Sequence, residues 1–337
     1  MLLSPNMIGD RVEDLGYNCS CLAYYKSERH AAMLAETAVT RWSHLKSVEL
    51  ELERCNPSLL ATFSQVPALQ SLYLGFQDIP TSPDVIPASL TPGFPSLLSL
   101  SLHAVFCLDI AAVLRSWDFR ALTRLAAEEI DCDDPDELQE FFQTVQDCVA
   151  HDALTDFAVD TDYADIGPLS FVHIKPLAVF RRLVHVRIDL IDGLFPTDSE
   201  HARVAAWWPE VESIDLGTEA SSGNWDRVNA SLESLIHYAR FCPRLRSLCL
   251  PLLVHSPIPK LPADMSSQAA GHPLTRLDLG DTPLRLENVA DVTRLLKDLF
   301  PHLHEVDYPI SRAKWSWGDV NAREVQGKVQ RYNKHEP

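Results

Sequence analysis

The chain has 337 residues, of which 46% are hydrophobic and 23% are charged, and its formal net charge is -18. This composition is typical of a folded chain and argues against a disordered one. The excess of carboxylates also argues against nucleic acid and against a membrane surface as partners, because both need a basic protein surface.

The first 44 residues are predicted to form a segment of their own. Residues 1–26 show no periodic pattern and are expected to be irregular. Residues 27–39 carry apolar residues at helical spacing and predict a helix that covers the first strand of the following domain. No apolar run reaches the length of a signal peptide or of a membrane span, so we expect a cytoplasmic or nuclear protein.

From residue 45 a short motif, L-x-x-L-x-L, recurs at starts 24 to 34 residues apart. Its positions 4 and 6 share one side of a strand, because side chains alternate with period two. The interval leaves room for one strand, one helix and two loops. The copy at Leu122 is the weakest, because it ends on alanine. The motifs begin at Leu45, Leu69, Leu97, Leu122, Leu154, Leu183, Val211, Leu245, Leu274 and Leu303.

The segments between motifs carry apolar residues three or four apart, which predicts helices at 58–63, 109–117, 136–149, 231–241 and 287–300. The third has a start signal, with Asp134 as N-cap and Pro135 at the first helical position. Parallel strands joined by helices therefore predict an α/β fold, a leucine-rich-repeat solenoid of about ten repeats with a parallel concave sheet and outer helices.

The alternative is two ordinary α/β domains, but prolines such as Pro209 and Pro243 recur two residues before the motif and mark a regular turn. We expect the solenoid at 45–310 and a C-terminal cap and tail at 311–337. Within these, 79–95 and 255–273 are predicted to be long rim loops. Residues 315–332 are predicted to form a cap helix anchored by Trp315 or Trp317.

Three features go beyond the bare repeat: the entry TRWSHL at 40–45, helix-ending Cys-Pro-x-Leu or Phe-Pro-x-Leu turns, and a tail with tryptophans after the last motif. In these the chain resembles the leucine-rich region of fungal, mushroom-type F-box proteins. The asparagine ladder of leucine-rich repeats is absent. The resemblance implies that the repeats select a substrate for a cullin-type ubiquitin ligase and that an N-terminal F-box binds the ligase adaptor.

Residues 1–44 contain no Leu-Pro-x-Glu start and no helical run ending in Cys-x-x-Trp. The F-box has therefore either been lost or lies outside this sequence, and the cullin ligase adaptor is expected as a partner only if an F-box lies upstream. The alternative function is a free-standing leucine-rich-repeat interaction or inhibitor protein without a ligase link.

Positions 3, 5 and 7 of each predicted strand point away from the core and into the concave groove, the surface that usually binds a partner. They hold ten carboxylates and three arginines, so we expect a basic protein segment as ligand; alternatively, the groove is acidic only because the whole chain is. The predicted partner-binding residues are Glu49, Glu51, Tyr73, His103, Arg124, Glu128, Asp156, Asp160, His185, Arg187, Asp189, Asp215, Arg276, Asp278, Glu305 and Asp307.

The carboxylates at 128–140 suggest a calcium loop, but Asp136 and Phe142 stand where an EF-hand loop requires glycine and glutamate. We interpret them as a solvated loop before a capped helix. Cys55, Cys107 and Cys132 share the eleventh position of their repeats, where packing explains them, and reduced thiols are expected throughout. No catalytic, phosphate-binding or zinc motif occurs, so we predict no enzyme, no cofactor and no metal.

Overall fold

The computed structural model describes residues 14–18, 44–52, 61–76, 93–103, 106–116, 119, 121–132, 134–161, 169–190, 193–217, 227–254, 257–262, 264–265, 271–279, 289–307 and 315–316. The chain divides into two compact units, Met1–Ile166 (unit 1) and Gly167–Pro337 (unit 2). Each unit has a repeat-like α/β architecture, in which strands that follow one another along the chain lie side by side.

Unit 1 contains a parallel sheet whose strands follow chain order. The helices α1, Cys107–Ser116, and α2, Pro135–Cys148, stand between its later strands and pack on each other. The strands are β1 Asp14–Asn18, β2 Ser47–Leu52, β3 Ser71–Phe76, β4 Ser99–His103, β5 Arg124–Glu128 and β6 Asp156–Thr161.

Unit 2 repeats this arrangement, and all of its strands but the first are shorter. It contains β7 His185–Leu190, β8 Ser213–Asp215, β9 Ser247–Cys249, β10 Arg276–Asp278 and β11 Glu305–Asp307, which pair in parallel. A last strand, β12 Trp315–Ser316, pairs antiparallel with β11. The helices are α3 Phe171–Ile174, α4 Asp198–Trp207, α5 Glu233–Phe241 and α6 Val289–Leu299, with a 3-10 helix at Lys175–Val179.

Every one of the ten predicted motifs begins a strand at its third residue, including the copy at Leu122. The backbone confirms their equivalence. In the second repeat the amides of Gln70 and Ser71 both donate to the carbonyl of Lys46, at 2.7 and 2.9 Å. The same paired bond joins the later neighbours within each unit, for example from Thr275 and Arg276 to Arg246 in unit 2. Each repeat therefore sets the register of the next.

The core of each unit lies between the sheet and its helices. Motif positions 1, 4 and 6 supply it, as the alternation of a strand requires. Leu122 and Leu125 are fully buried, and so is Ala127, which explains why the weakest motif still forms a strand. Leu303, the first residue of the last motif, is only half-buried, whereas the first residues of the other motifs are buried.

The predicted helices are confirmed where they can be compared, with α2 beginning at Pro135 as expected. The carboxylate of Asp134 accepts hydrogen bonds from the amides of Asp136 and Glu137, so this acidic stretch is a helix cap. The helices α3 and α4 were not predicted, and neither was the strand β1, which lies in a segment expected to be irregular.

One further prediction is wrong. Trp315 and Ser316 were expected to begin a cap helix, but they form β12, because their backbone pairs with Glu305 and Val306. The described part of 255–273 is almost entirely loop, as predicted, with Met265 and His272 buried. The predicted helix at 27–39, the loop at 79–92 and the rest of the C-terminal tail lie outside the described residues.

The expectation of reduced thiols is wrong for one pair, because Cys107 and Cys132 form a disulfide. Phe106 and Asp131 make a parallel bridge just beyond the ends of β4 and β5, and the amide of Cys107 donates to Asp131. Register thus brings the eleventh positions of two successive repeats together, with Cα atoms 5.6 Å apart, a spacing that suits a disulfide. Both side chains are buried, as the packing argument predicted.

Candidate protein-interaction surface

Each sheet has one side turned away from the helices, which we call the open face. It carries motif positions 3, 5 and 7, from β2 to β6 in unit 1 and from β7 to β11 in unit 2. The strand β6 shows the alternation, since Phe157 and Val159 are buried while Asp156 and Asp160 are half-buried. The predicted groove residues therefore lie together on the open faces; that they bind a partner stays a prediction.

On the open face of unit 1 the register places unlike side chains beside one another. Glu49 stands beside Tyr73, His103 beside Glu128, and Arg124 beside Asp156. Glu51 lies in β2, but its side chain is outside the described residues. The described predicted residues here, all exposed or half-buried, are Glu49, Tyr73, His103, Arg124, Glu128, Asp156 and Asp160.

Glu129 joins this face although the sequence analysis did not select it. Its φ is 51°, a left-handed conformation that is uncommon for a residue with a side chain. Its amide donates to the carboxylate of Asp160 at 2.6 Å, which holds the turn. Its own carboxylate then lies 3.2 Å from Nε2 of His103. Because His103 is on the open face, the turn delivers an additional carboxylate there.

The middle of this face is made of small side chains, of which Ala126 is buried while Ser101 and Ala158 are half-buried. Ser101, Ala126 and Ala158 stand in one row across β4 to β6. Ala126 is only 1% exposed, so a partner cannot touch it without displacing its surroundings. The larger side chains around these small ones therefore offer a partner most of the contact area.

On the open face of unit 2 the arginines already have carboxylate partners. Nη2 of Arg187 lies 3.1 Å from Oδ2 of Asp189, and Nη2 of Arg276 lies 3.0 Å from Oδ2 of Asp307. Partial burial acts to lower the pKa of Arg276, but Asp307, with help from Glu305 and Asp278, outweighs it and raises that pKa. The remaining predicted residues, His185, Asp215, Asp278 and Glu305, occupy the same face, exposed or half-buried.

The carboxylate of Asp215 has a structural task at the end of β8. It accepts a hydrogen bond of 3.0 Å from the amide of Gly217. Gly217 has a φ of 74°, and a Cβ there would lie 2.9 Å from Oδ1 of Asp189. Glycine is thus required by both backbone angle and space. Replacing Asp215 would disturb this turn as well as the charge of the face.

A second group of polar residues lies in the outer layer of unit 2, between α4 and α5. The carboxylate of Asp198 accepts bonds from the Ser231 amide, from the Ser231 hydroxyl and, at 2.6 Å, from the Ser234 hydroxyl. Burial opposes ionisation of Asp198, but these bonds prevail and hold its pKa below the ordinary value.

His201 and Tyr238 continue the group, with Nδ1 of His201 2.9 Å from the Tyr238 hydroxyl. Nε2 of His201 has no hydrogen-bond partner among the described residues. Burial lowers the pKa of His201 to about 4, against a weaker opposing effect of Asp198. Serine, histidine and aspartate do meet here, but Ser234 and His201 are inaccessible, so the group joins two helices and offers no surface to a substrate.

Within the part of the chain that the structure describes, no three His, Cys, Asp or Glu side chains are grouped so that they could hold a metal ion. In the same residues no helix has the length and apolar character needed to cross a bilayer. Comparison with models of known protein families and with curated proteins gives no match. Function must therefore be inferred from the chain's own residues.

Proposed function

We propose that the chain is a protein-recognition module built from leucine-rich repeats, and that it binds a segment of a partner protein on its open faces. The observation that carries this proposal is the set of in-register rows of exposed or half-buried side chains on each sheet. Such rows are fixed by the backbone ladder, yet their side chains can vary without disturbing the core.

The rows suit protein recognition better than chemistry. The strands present charged, aromatic and hydroxyl side chains over a wide surface, whereas His201 and Ser234, which meet Asp198 in the outer layer of unit 2, are buried. A broad surface of mixed polar character is what a protein partner needs, because its affinity comes from several separate contacts.

We further propose that this recognition selects substrates for an F-box-type ubiquitin ligase. The support is the resemblance of the repeats, their turns and their tail to fungal F-box proteins. The second candidate, a free-standing interaction or inhibitor protein, uses the same open faces without a ligase.

The test is affinity capture from a fungal lysate with the full chain, comparing the native sequence with a variant carrying Glu49→Lys and Glu128→Lys. These two residues lie on the open face of unit 1, and the described contacts give their carboxylates no backbone group to hold in place. Their reversal should remove a specific partner while the midpoint of thermal unfolding stays within about 2 °C, the effect of a few tenths of a kcal/mol.

A matched control is Glu233→Lys with Asp298→Lys, which makes the same change in net charge on the exposed surfaces of α5 and α6. This control should retain the partner. Recovery of a cullin adaptor with the native chain would support the ligase role, and its absence alongside a retained partner would favour the free-standing protein. If both double variants capture the same proteins as the native chain, the open face is not the recognition surface.

A further inference from the structure

A cavity of about 300 Å³ lies in the last repeat of unit 2, and we call it the end cavity. Its described lining residues belong to α6 and to the turn into β11: Leu296, Lys297, Phe300, Pro301 and Leu303. No described residue of the preceding repeat lines it. The end cavity therefore opens on the side of the last repeat that no further repeat covers.

Leu303 shows why the cavity is present. It is the first residue of the last motif and is half-buried, whereas its counterparts Leu245 and Leu274 are fully buried. The amide of Leu303 donates to the carbonyl of Phe300 at 3.1 Å. The equivalent bond from Leu245 to Cys242 also measures 3.1 Å, so the local turn is the same. What Leu303 lacks is the following repeat, which covers the first residue of each earlier motif in a stack.

The strand β12 runs towards the end cavity. It pairs antiparallel with β11, and Ser316 stands beside Glu305, the first residue of β11. Each further residue of the chain therefore lies nearer the turn before β11, where Leu303 comes only two residues before Glu305. The residue after Ser316 is Trp317, which has a large aromatic side chain.

The register also favours the correct side of the sheet. Trp315 pairs with Val306, whose side chain is buried in the core between the sheet and its helices. Side chains alternate along a strand, so one further extended residue puts Trp317 on the same side as Val306. This is the side of α6 and of the end cavity, and a residue of the open face would be turned away from it.

We propose that the indole of Trp317 fills the end cavity, and that the chain's own C-terminal segment, 317–332, covers the last repeat. The segment has a suitable pattern, because Val325, Val329 and Tyr332 are spaced four and three residues apart among polar residues, as on the apolar side of a helix. The inference is independent of the proposed function, since it concerns the end of the repeat series and not the open faces.

The covalent connection favours this occupant over a second copy of the chain. Because Trp317 directly follows the paired Ser316, its effective concentration at the end cavity is on the order of millimolar or higher, whereas a second copy acts only at its bulk concentration. A buried indole also removes the apolar surface that would otherwise support end-to-end association of copies.

The first test locates Trp317 by fluorine NMR of the full chain labelled with 5-fluorotryptophan. The resonance that disappears in Trp317→Phe belongs to Trp317, and that of the fully buried Trp208 is assigned in the same way. A soluble paramagnetic chelate should broaden the Trp317 resonance to an extent close to that of Trp208 and far below that of free 5-fluorotryptophan. Leu303→Ala should shift the Trp317 resonance, whereas Leu98→Ala, at an exposed position in unit 1, should leave it unchanged.

The second test measures whether Trp317 and Leu303 act together. Trp317→Ala should raise the equilibrium constant for unfolding in urea about tenfold or more, because its apolar contacts in the cavity are lost. In the Leu303→Ala chain the same substitution should have about a threefold effect or less, since part of the contact is already gone. In the Leu98→Ala chain, the matched control, it should keep its full effect.

Any of four results overturns the proposal. The Trp317 resonance is broadened as strongly as free 5-fluorotryptophan, it does not respond to Leu303→Ala, or the effects of Trp317→Ala and Leu303→Ala on unfolding are additive. The fourth result is protection that is lost on dilution, which means that a second copy of the chain fills the cavity. A protected resonance that responds to Leu303→Ala at every concentration, together with coupled effects on unfolding, supports the proposal.

Discussion

In the outer layers of the two units, neighbouring repeats are linked by different interactions, a disulfide in unit 1 and hydrogen bonds to a carboxylate in unit 2. In unit 1 the disulfide between Cys107 and Cys132 joins the beginning of α1 to the loop before α2. In unit 2 no described residues form a disulfide, and the carboxylate of Asp198 joins α4 to the beginning of α5 through Ser231 and Ser234. Both devices link one repeat to the next on the side opposite the open face.

The difference between these fastenings determines what can loosen each unit. A disulfide responds to reductant and has no proton to gain or lose. A half-buried carboxylate, Asp198, and a buried histidine, His201, respond to acid and are indifferent to reductant. Unit 1 should therefore be sensitive to redox conditions and unit 2 to pH, although both units are built from the same repeat.

The largest expected effect is the loss of the disulfide. Cys107 and Cys132 are 25 residues apart in sequence. Closing a loop of that length stabilises the folded state by about 3.5 kcal/mol in the chain-entropy description. In urea unfolding, the double variant Cys107→Ala, Cys132→Ala should lose most of this free energy of unfolding. Excess reductant should lower the free energy of unfolding of the native chain by a similar amount.

Hydrogen exchange locates the effect. Amides of unit 1 near α1 and β5 should lose protection, and those of α4 and α5 should not. Cys148→Ala is the control, since Cys148 is a free thiol in the same unit. Equal stability of the native chain with and without reductant would contradict the role given to the disulfide.

The sequence predicted the strands well because their signal is local and redundant. Even the motif at Leu122, with alanines at its end, formed a strand, because its leucines are buried and both neighbouring strands fix its register. The eleventh-position cysteines were noticed, but their pairing required knowing that successive repeats are in register. The order of the strands was predictable, and the contacts across them were not.

Other features lacked a sequence signal of the kind that periodicity detects. The helix α4 has buried His201 among polar neighbours, so its apolar stripe is too narrow to be recognised. Glu129 reached the open face through a left-handed backbone angle that its sequence does not require. For the candidate surface, positions 3, 5 and 7 were predictable from alternation, whereas the contact of His103 with Glu129 and the pairing of arginines with aspartates in unit 2 were not.

The second expected effect is a loss of stability in acid that arises in unit 2. The pKa of His201 is about 4 in the folded chain, below its ordinary value of 6.5, because burial disfavours the charged ring. The unfolded chain therefore takes up a proton first, and stability falls as the pH drops from about 6.5 towards 4. The lowered pKa implies a loss of about 3 kcal/mol over that window.

Unfolding in urea at pH 7 and pH 4.5 measures this effect. The double variant His201→Phe, Tyr238→Phe keeps an aromatic ring at both positions and removes both polar groups. Its free energy of unfolding should therefore fall less between pH 7 and pH 4.5 than that of the native chain. His302→Ala, at an exposed position, is the control and should lose as much as the native chain. An unchanged pH dependence in the double variant would show that His201 is not the group responsible.

The smallest of the three effects is the removal of the Asp198 carboxylate at neutral pH. Asp198→Ala leaves the Ser231 amide and the fully buried Ser234 hydroxyl without their acceptor, which should cost about 2 kcal/mol in urea unfolding. Asp198→Asn keeps one acceptor oxygen and should lose less.

Because the folded pKa of Asp198 is low, its contribution is present above the unfolded pKa and disappears only as the pH falls through the folded value. Asp198→Ala should therefore be destabilised at pH 7 and approach the native chain only in strong acid, below the range where His201 acts. If instead the native chain and Asp198→Ala became equally stable already between pH 6.5 and 4, the titrations of Asp198 and His201 would be coupled. The two residues would then stabilise the contact between α4 and α5 together.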